Sequence, residues 1–89
     1  MISRTTARFW KLYDALPYEI QRRADNAYAL WQLNPQARGL NFKRVNTNHP
    51  YYSVRIGRGY RAIDIAEEDE ILWFWIGAHD EYERILRGL

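Results

Sequence analysis

Tyr51-Tyr52-Ser53-Val54-Arg55-Ile56-Gly57-Arg58-Gly59-Tyr60-Arg61-Ala62-Ile63-Asp64-Ile65 is the stretch whose reading decides the fold. Two runs rich in aromatic and β-branched residues flank Gly57-Arg58-Gly59, a short glycine-bearing connection of the kind that joins antiparallel strands in a hairpin. Side chains alternate along a strand. Arg61 therefore shares a face with Ile63 and Ile65, while Tyr60, Ala62 and Asp64 point the other way. Arg55 shares its face with Tyr51 and Ser53, and the short turn brings it close to Arg61, so that the two arginines would flank one groove.

Outward from this hairpin the same texture continues. Strands are expected at about Asn41 to Val45, Tyr51 to Ile56, Tyr60 to Ile65 and Ile71 to Ile76, joined by short connections that make each neighbouring pair antiparallel. Ile71-Leu72-Trp73-Phe74-Trp75-Ile76 is apolar at every position. Such a strand is buried on both faces, so it takes a central place or lies under a second covering element.

Before Gly39 the period changes from two to 3.6. Phe9, Leu12, Tyr13 and Leu16 recur at helical spacing over Ala7 to Leu16, with Thr5 or Thr6 as N-cap. Pro17 marks a tight break, and a second helix from about Tyr18 to Leu33 buries Ile20, Ala24, Ala27 and Trp31 before Asn34-Pro35 ends it. Tyr82, Ile85, Leu86 and Leu89 give a last, short helix that Asp80 could cap. The four residues Met1 to Arg4 are too few to show a period, and the sequence leaves open whether they form an edge strand. The expected class is α+β, an N-terminal helix hairpin packed on a four-stranded, mainly antiparallel sheet with a short C-terminal helix.

With 89 residues, 47% of them hydrophobic and 16% aromatic, the chain has room for one packed domain spanning residues 1–89. It has no cysteine, hence no disulfide framework and no thiolate nucleophile, which points to the cytoplasm. No apolar stretch of signal-peptide length follows Met1, and Ile71 to Ile76 is too short to span a bilayer, so a soluble protein with no membrane partner is expected. The net charge of +2 hides an asymmetry: residues 1–61 hold 11 of the 13 Lys and Arg and only three acids, for +8, whereas residues 62–89 carry −6. One face could then meet a polyanion, or the two sets could interleave as solvated surface.

Several side chains could carry chemistry. Arg61, beside two isoleucines, either snorkels to water or a carboxylate, or presents its rigid fork of donors to phosphate oxygens. Lys43 and Arg44 alternate on the preceding strand, so one of them should share the groove, and Arg58 adds a cation at the turn. His79 leaves the apolar strand in Gly77-Ala78-His79-Asp80-Glu81-Tyr82, at a junction where a rigid scaffold can hold a functional group. An imidazole suits proton transfer near neutral pH. The alternative for His79 is a hydrogen bond to a helix end, and for Tyr82 a place in the core. Two histidines without cysteine or ligand spacing argue against zinc, and Glu67 to Glu70 reads as a charged hairpin tip.

The order helix hairpin, basic strand, Tyr52-Ser53-Val54-Arg55-Ile56-Gly57, Gly59-Tyr60-Arg61-Ala62-Ile63 and Ile76-Gly77-Ala78-His79-Asp80-Glu81-Tyr82 resembles the RelE/ParE toxin superfamily of bacterial type II toxin-antitoxin systems, from about Phe9 to Leu86. The resemblance implies a cytoplasmic toxin held inactive by a cognate antitoxin in a hetero-oligomer. On the RelE side it implies a ribosome-dependent endoribonuclease that cuts mRNA in the 30S decoding site and inhibits translation. There the 2′-hydroxyl attacks the adjacent phosphate without metal or cofactor. Arg61 would then stabilise the transition state, Arg55 grip the phosphate, His79 transfer a proton and Tyr82 stack on or orient the substrate, with Lys43, Arg44 and Arg58 binding it. RelE itself carries a lysine where this chain has Ser53, which leaves proton transfer to His79. On the ParE side it implies a toxin that acts by binding DNA gyrase, or a toxin fold that binds only an antitoxin.

Overall fold

The computed structural model describes residues 2–89. In chain order it has β1 (Ile2–Thr5), α1 (Ala7–Asp14), α2 (Tyr18–Leu33), β2 (Lys43–Arg44), β3 (Tyr51–Arg55), β4 (Tyr60–Glu67), β5 (Glu70–Ala78) and α3 (His79–Gly88). The strands form one sheet in the order β1-β5-β4-β3-β2, antiparallel throughout except that β1 runs parallel to β5. The expected four-stranded sheet is thus five-stranded. Met1 lies outside the described residues, but Ile2 to Thr5 pair with Glu70 to Trp73, and Ser3 accepts hydrogen bonds from Trp73 Nε1 (3.1 Å) and the Tyr28 hydroxyl (2.9 Å).

The helices form where the period placed them. Thr6 caps α1, its hydroxyl accepting from the Phe9 N–H at 3.1 Å, which satisfies one of the orphan donors of the first turn. The helix ends at Asp14, before the expected Leu16, because Pro17 disfavours helical backbone at the residue ahead of it. Pro17 then opens α2. Two hydrogen bonds tie the helices together, from the Tyr13 hydroxyl to Asp25 (2.8 Å) and from Gln21 Nε2 to the Tyr13 carbonyl (2.9 Å).

The sheet separates two apolar layers. On one side Ala24 and Trp31 of α2 join Val54, Ile56, Ala62, Ile71, Trp73 and Ile76, with Phe9 and Leu12 of α1 packed against them. On the other, Ile63 and Trp75 are covered by Tyr82, Ile85 and Leu86 of α3. Strict alternation would put Trp73 and Trp75 on the same side. A register shift between Ile63 and Asp64 sets two β5 residues against one step of β4, so Ile63 faces Trp75 while Asp64 faces Trp73. This bulge sends one indole into each layer.

Asp64 ends up in the middle of the sheet. It is 0% exposed, and neither carboxylate oxygen has a hydrogen-bond partner among the described residues. Burial alone pushes its pKa up to about 8, since the charged form loses its water and gains nothing in return. Trp31, which meets Trp73 edge-on at 5.2 Å, likewise keeps its indole N–H without an acceptor.

Candidate functional site

On the α3 side, the open end of the sheet forms a concavity of about 420 Å3 lined by Lys43 and Arg44 of β2, Ser53 of β3, Arg61 of β4, and His79 and Tyr82 of α3, among others. Arg61 stands opposite Gly77 on β5. Glycine is required at 77 by contact: a β-carbon there would lie 2.7 Å from the Trp75 ring. With no side chain across from it, Arg61 is free to lean toward α3.

Three groups meet at Tyr82. Its hydroxyl donates to the buried Ser53 Oγ at 3.0 Å, fixing the ring in the core. The Arg61 guanidinium carbon sits 6.0 Å from the ring centroid, at the outer limit of a cation–π contact. One of its nitrogens donates to the Tyr60 carbonyl at 2.8 Å. The His79 ring meets Tyr82 edge-on, with centroids 5.7 Å apart, and its Nε2 lies 3.7 Å from a Glu83 carboxylate oxygen. Among the described residues no carboxylate lies within ion-pair distance of Arg61. Its remaining N–H donors are therefore available to an anion.

His79 owes its place to the absence of a loop. Its N–H donates to the Gly59 carbonyl at 2.8 Å, so the chain passes directly from β5 into α3. The expected cap at Asp80 is corrected by this: Ala78 occupies the cap position and His79 is the first helical residue. Asp80 and Glu81 lie in the first turn instead, where carboxylates favour the positive end of the helix.

Other expectations are redistributed. Both Lys43 and Arg44 line the concavity, where one was expected, because β2 is only two residues long and lies at the sheet edge. Arg55 and Arg61 do not flank one groove. They are cross-strand partners, but Arg55 turns toward the Pro35 to Phe42 loop, its Nε reaching the Gly57 carbonyl at 3.4 Å, and it lines a neighbouring concavity. Arg58 is exposed in the β3–β4 turn and lines neither. Tyr82 is buried, with the Arg61 head group near its face. Glu83 did not stand out in the sequence, although its i, i+4 spacing from His79 was there to be read.

A family model described as a ParE-like toxin domain matches residues 18–84. The chain belongs to this family. Among solved structures, the toxin domain resembles the RelB-RelE antitoxin-toxin complex of Methanococcus jannaschii at a TM-score of 0.73 and 20% identity, covering 91% of this chain and 95% of that one. It is similar to YafQ of E. coli (TM-score 0.73, 9% identity, 90% and 94% covered) and to the isolated E. coli RelE toxin (TM-score 0.66, 14% identity, 99% and 98% covered). At these identities the likeness is one of fold. No curated protein matches the chain. Among the described residues, no helix of the toxin domain is long and apolar enough to cross a membrane.

Proposed function

We propose that this toxin domain is a ribosome-dependent mRNA endoribonuclease. The observation that carries the reading is the convergence of Arg61 and His79 on one buried tyrosine, at the end of a concavity whose other rim is Lys43 and Arg44. In the reaction, the 2′-hydroxyl of the nucleotide before the scissile bond gives up its proton as its oxygen attacks the adjacent phosphorus. The P–O5′ bond breaks, leaving a 2′,3′-cyclic phosphate and a protonated 5′-hydroxyl. Arg61 supports the extra negative charge on the phosphorane oxygens, where donors fixed in advance act most strongly. His79 transfers the proton, with Glu83 holding the imidazole in place. Ser53 is buried and engaged with Tyr82, so it takes no part in proton transfer. Lys43 and Arg44 hold flanking phosphates.

The toxin acts in the cytoplasm and is silenced by a cognate antitoxin, in line with the antitoxin-bound state of the structurally similar RelE from M. jannaschii. A second reading is favoured by the family model itself: a ParE-like toxin that acts by binding a protein such as DNA gyrase, with no RNA cleavage.

The two readings separate on purified translating ribosomes. Under the nuclease reading the added protein produces discrete mRNA 5′ ends, and Arg61→Gln lowers the cleavage rate by about 100-fold or more while leaving far-UV circular dichroism unchanged. No cleavage by the wild-type protein overturns it.

A further inference from the structure

The neighbouring concavity, into which Arg55 turns, has a volume of about 370 Å3 and is lined by Arg38, Gly39, Asn41, Phe42 and Arg55 together with Pro35, Gln36 and Ala37. Two guanidinium groups face it and no carboxylate does. Neither Arg38 nor Arg55 forms an ion pair among the described residues.

The loop backbone is as distinctive as its charge. Gly39 has φ +89° and Asn41 φ +49°, whereas Arg38 and Leu40 lie on the negative side, so the sign of φ alternates residue by residue. Gly39 takes the left-handed place of a tight turn that the Leu40 N–H closes by donating to the Ala37 carbonyl at 3.4 Å. Among the described residues the N–H groups of Arg38, Gly39 and Asn41 donate to no acceptor in the protein. The loop is also held in shape. Leu40 is buried, its carbonyl accepts from the Arg55 N–H at 2.7 Å, and Ala37 N–H donates to Asn34 at 2.9 Å. Asn41 lines both concavities, so the two adjoin.

We propose that Arg38, Arg55 and the unpartnered N–H groups of Gly39 and Asn41 form a second phosphate subsite, which holds a neighbouring phosphate of the RNA strand whose scissile phosphate lies at Arg61. The subsite rests on the nuclease reading for its ligand, and it explains why Arg55 faces away from Arg61: one arginine serves each phosphate.

The test uses the full chain and a short 2′-O-methyl oligoribonucleotide, which has no attacking hydroxyl and so reports binding independently of cleavage. Fluorescence anisotropy is followed against salt for the wild type, Arg55→Gln, Arg38→Gln and Arg61→Gln. The expected result is a weaker affinity for Arg55→Gln and Arg38→Gln, with a slope of log K against log salt shallower by about 0.7 for each phosphate no longer neutralised. The amide signals of Gly39 and Asn41 should also shift on addition of the oligonucleotide. Unchanged slopes for Arg55→Gln and Arg38→Gln, beside a weakened Arg61→Gln, overturn the subsite and leave the nuclease reading standing. Wild-type protein that does not bind the oligonucleotide overturns the subsite, while the nuclease reading is decided separately by cleavage on translating ribosomes. A glutamate-rich peptide that shifts the same amides at lower concentration than the oligonucleotide overturns the subsite in favour of an acidic polypeptide.

Discussion

Asp64→Asn should stabilise this protein, and by an amount that depends on pH. Aspartate at 64 is wholly buried without a partner, and its pKa rises from 3.8 to about 8. Below pH 3.8 the carboxyl is protonated in folded and unfolded chains alike, so its ionisation contributes nothing to the pH dependence. Between 3.8 and 8 the folded chain keeps the proton and the unfolded chain releases it. Stability conferred by the raised pKa is therefore fully present at low pH and lost as pH rises through this window, levelling off above 8. Each unit of pKa shift corresponds to about 1.4 kcal/mol, which makes the loss about 4 kcal/mol at pH 7. That is a large part of the 5–15 kcal/mol by which domains of this kind are commonly stable. Asparagine is nearly isosteric and does not titrate, so it keeps the shape and removes the linkage. Urea unfolding followed by tryptophan fluorescence at pH 4, 5.5, 7 and 8.5 measures the difference between variant and wild type. It should be close to zero at pH 4 and grow toward about 4 kcal/mol at pH 7. A difference that stays constant across this range would refute the reasoning, because it would mean that Asp64 ionises in the folded protein as freely as in the unfolded one.

Two further substitutions test the frame of the site. Gly77→Ala places a methyl group 2.7 Å from the Trp75 ring and should cost about 1–3 kcal/mol, read as a lowered thermal midpoint together with an altered near-UV circular dichroism from the displaced indole. Tyr82→Phe removes the hydroxyl that donates to Ser53 and should cost about 1 kcal/mol while preserving cleavage, since the ring that orients Arg61 and His79 remains. Loss of cleavage by a well-folded Tyr82→Phe protein would instead assign the hydroxyl a part in the chemistry.

Much of this architecture can be read from local pattern. The bounds of α2 follow from its period and from Pro17, and the β3–β4 hairpin follows from two aromatic, β-branched runs about one glycine-flanked turn. What the pattern hides is decided by contacts between distant segments. Four residues cannot announce β1, whose only reason to be a strand is the edge of β5. An uninterrupted apolar run conceals the bulge that separates Trp73 from Trp75, because no polar residue marks the change of face. Register pairs Arg55 with Arg61, yet their heads part, the Arg55 Nε donating to the Gly57 carbonyl beside the Pro35 to Phe42 loop and an Arg61 nitrogen to the Tyr60 carbonyl. His79 and Tyr82 were legible as residue types, but the Ser53 hydroxyl that fixes Tyr82 was not.

The parallel seat of β1 beside β5 also governs the order in which the chain can fold. Ser3 and Trp73, which it brings into hydrogen-bond contact, are 70 residues apart in sequence, and closing so long a loop comes at an entropic cost that local pairings do not face. The β3–β4–β5 meander can assemble from neighbours in sequence. β1 must wait for β5, so the sheet reaches its full width only after β5 has been made, and a chain truncated before β5 leaves β1 with no strand to join.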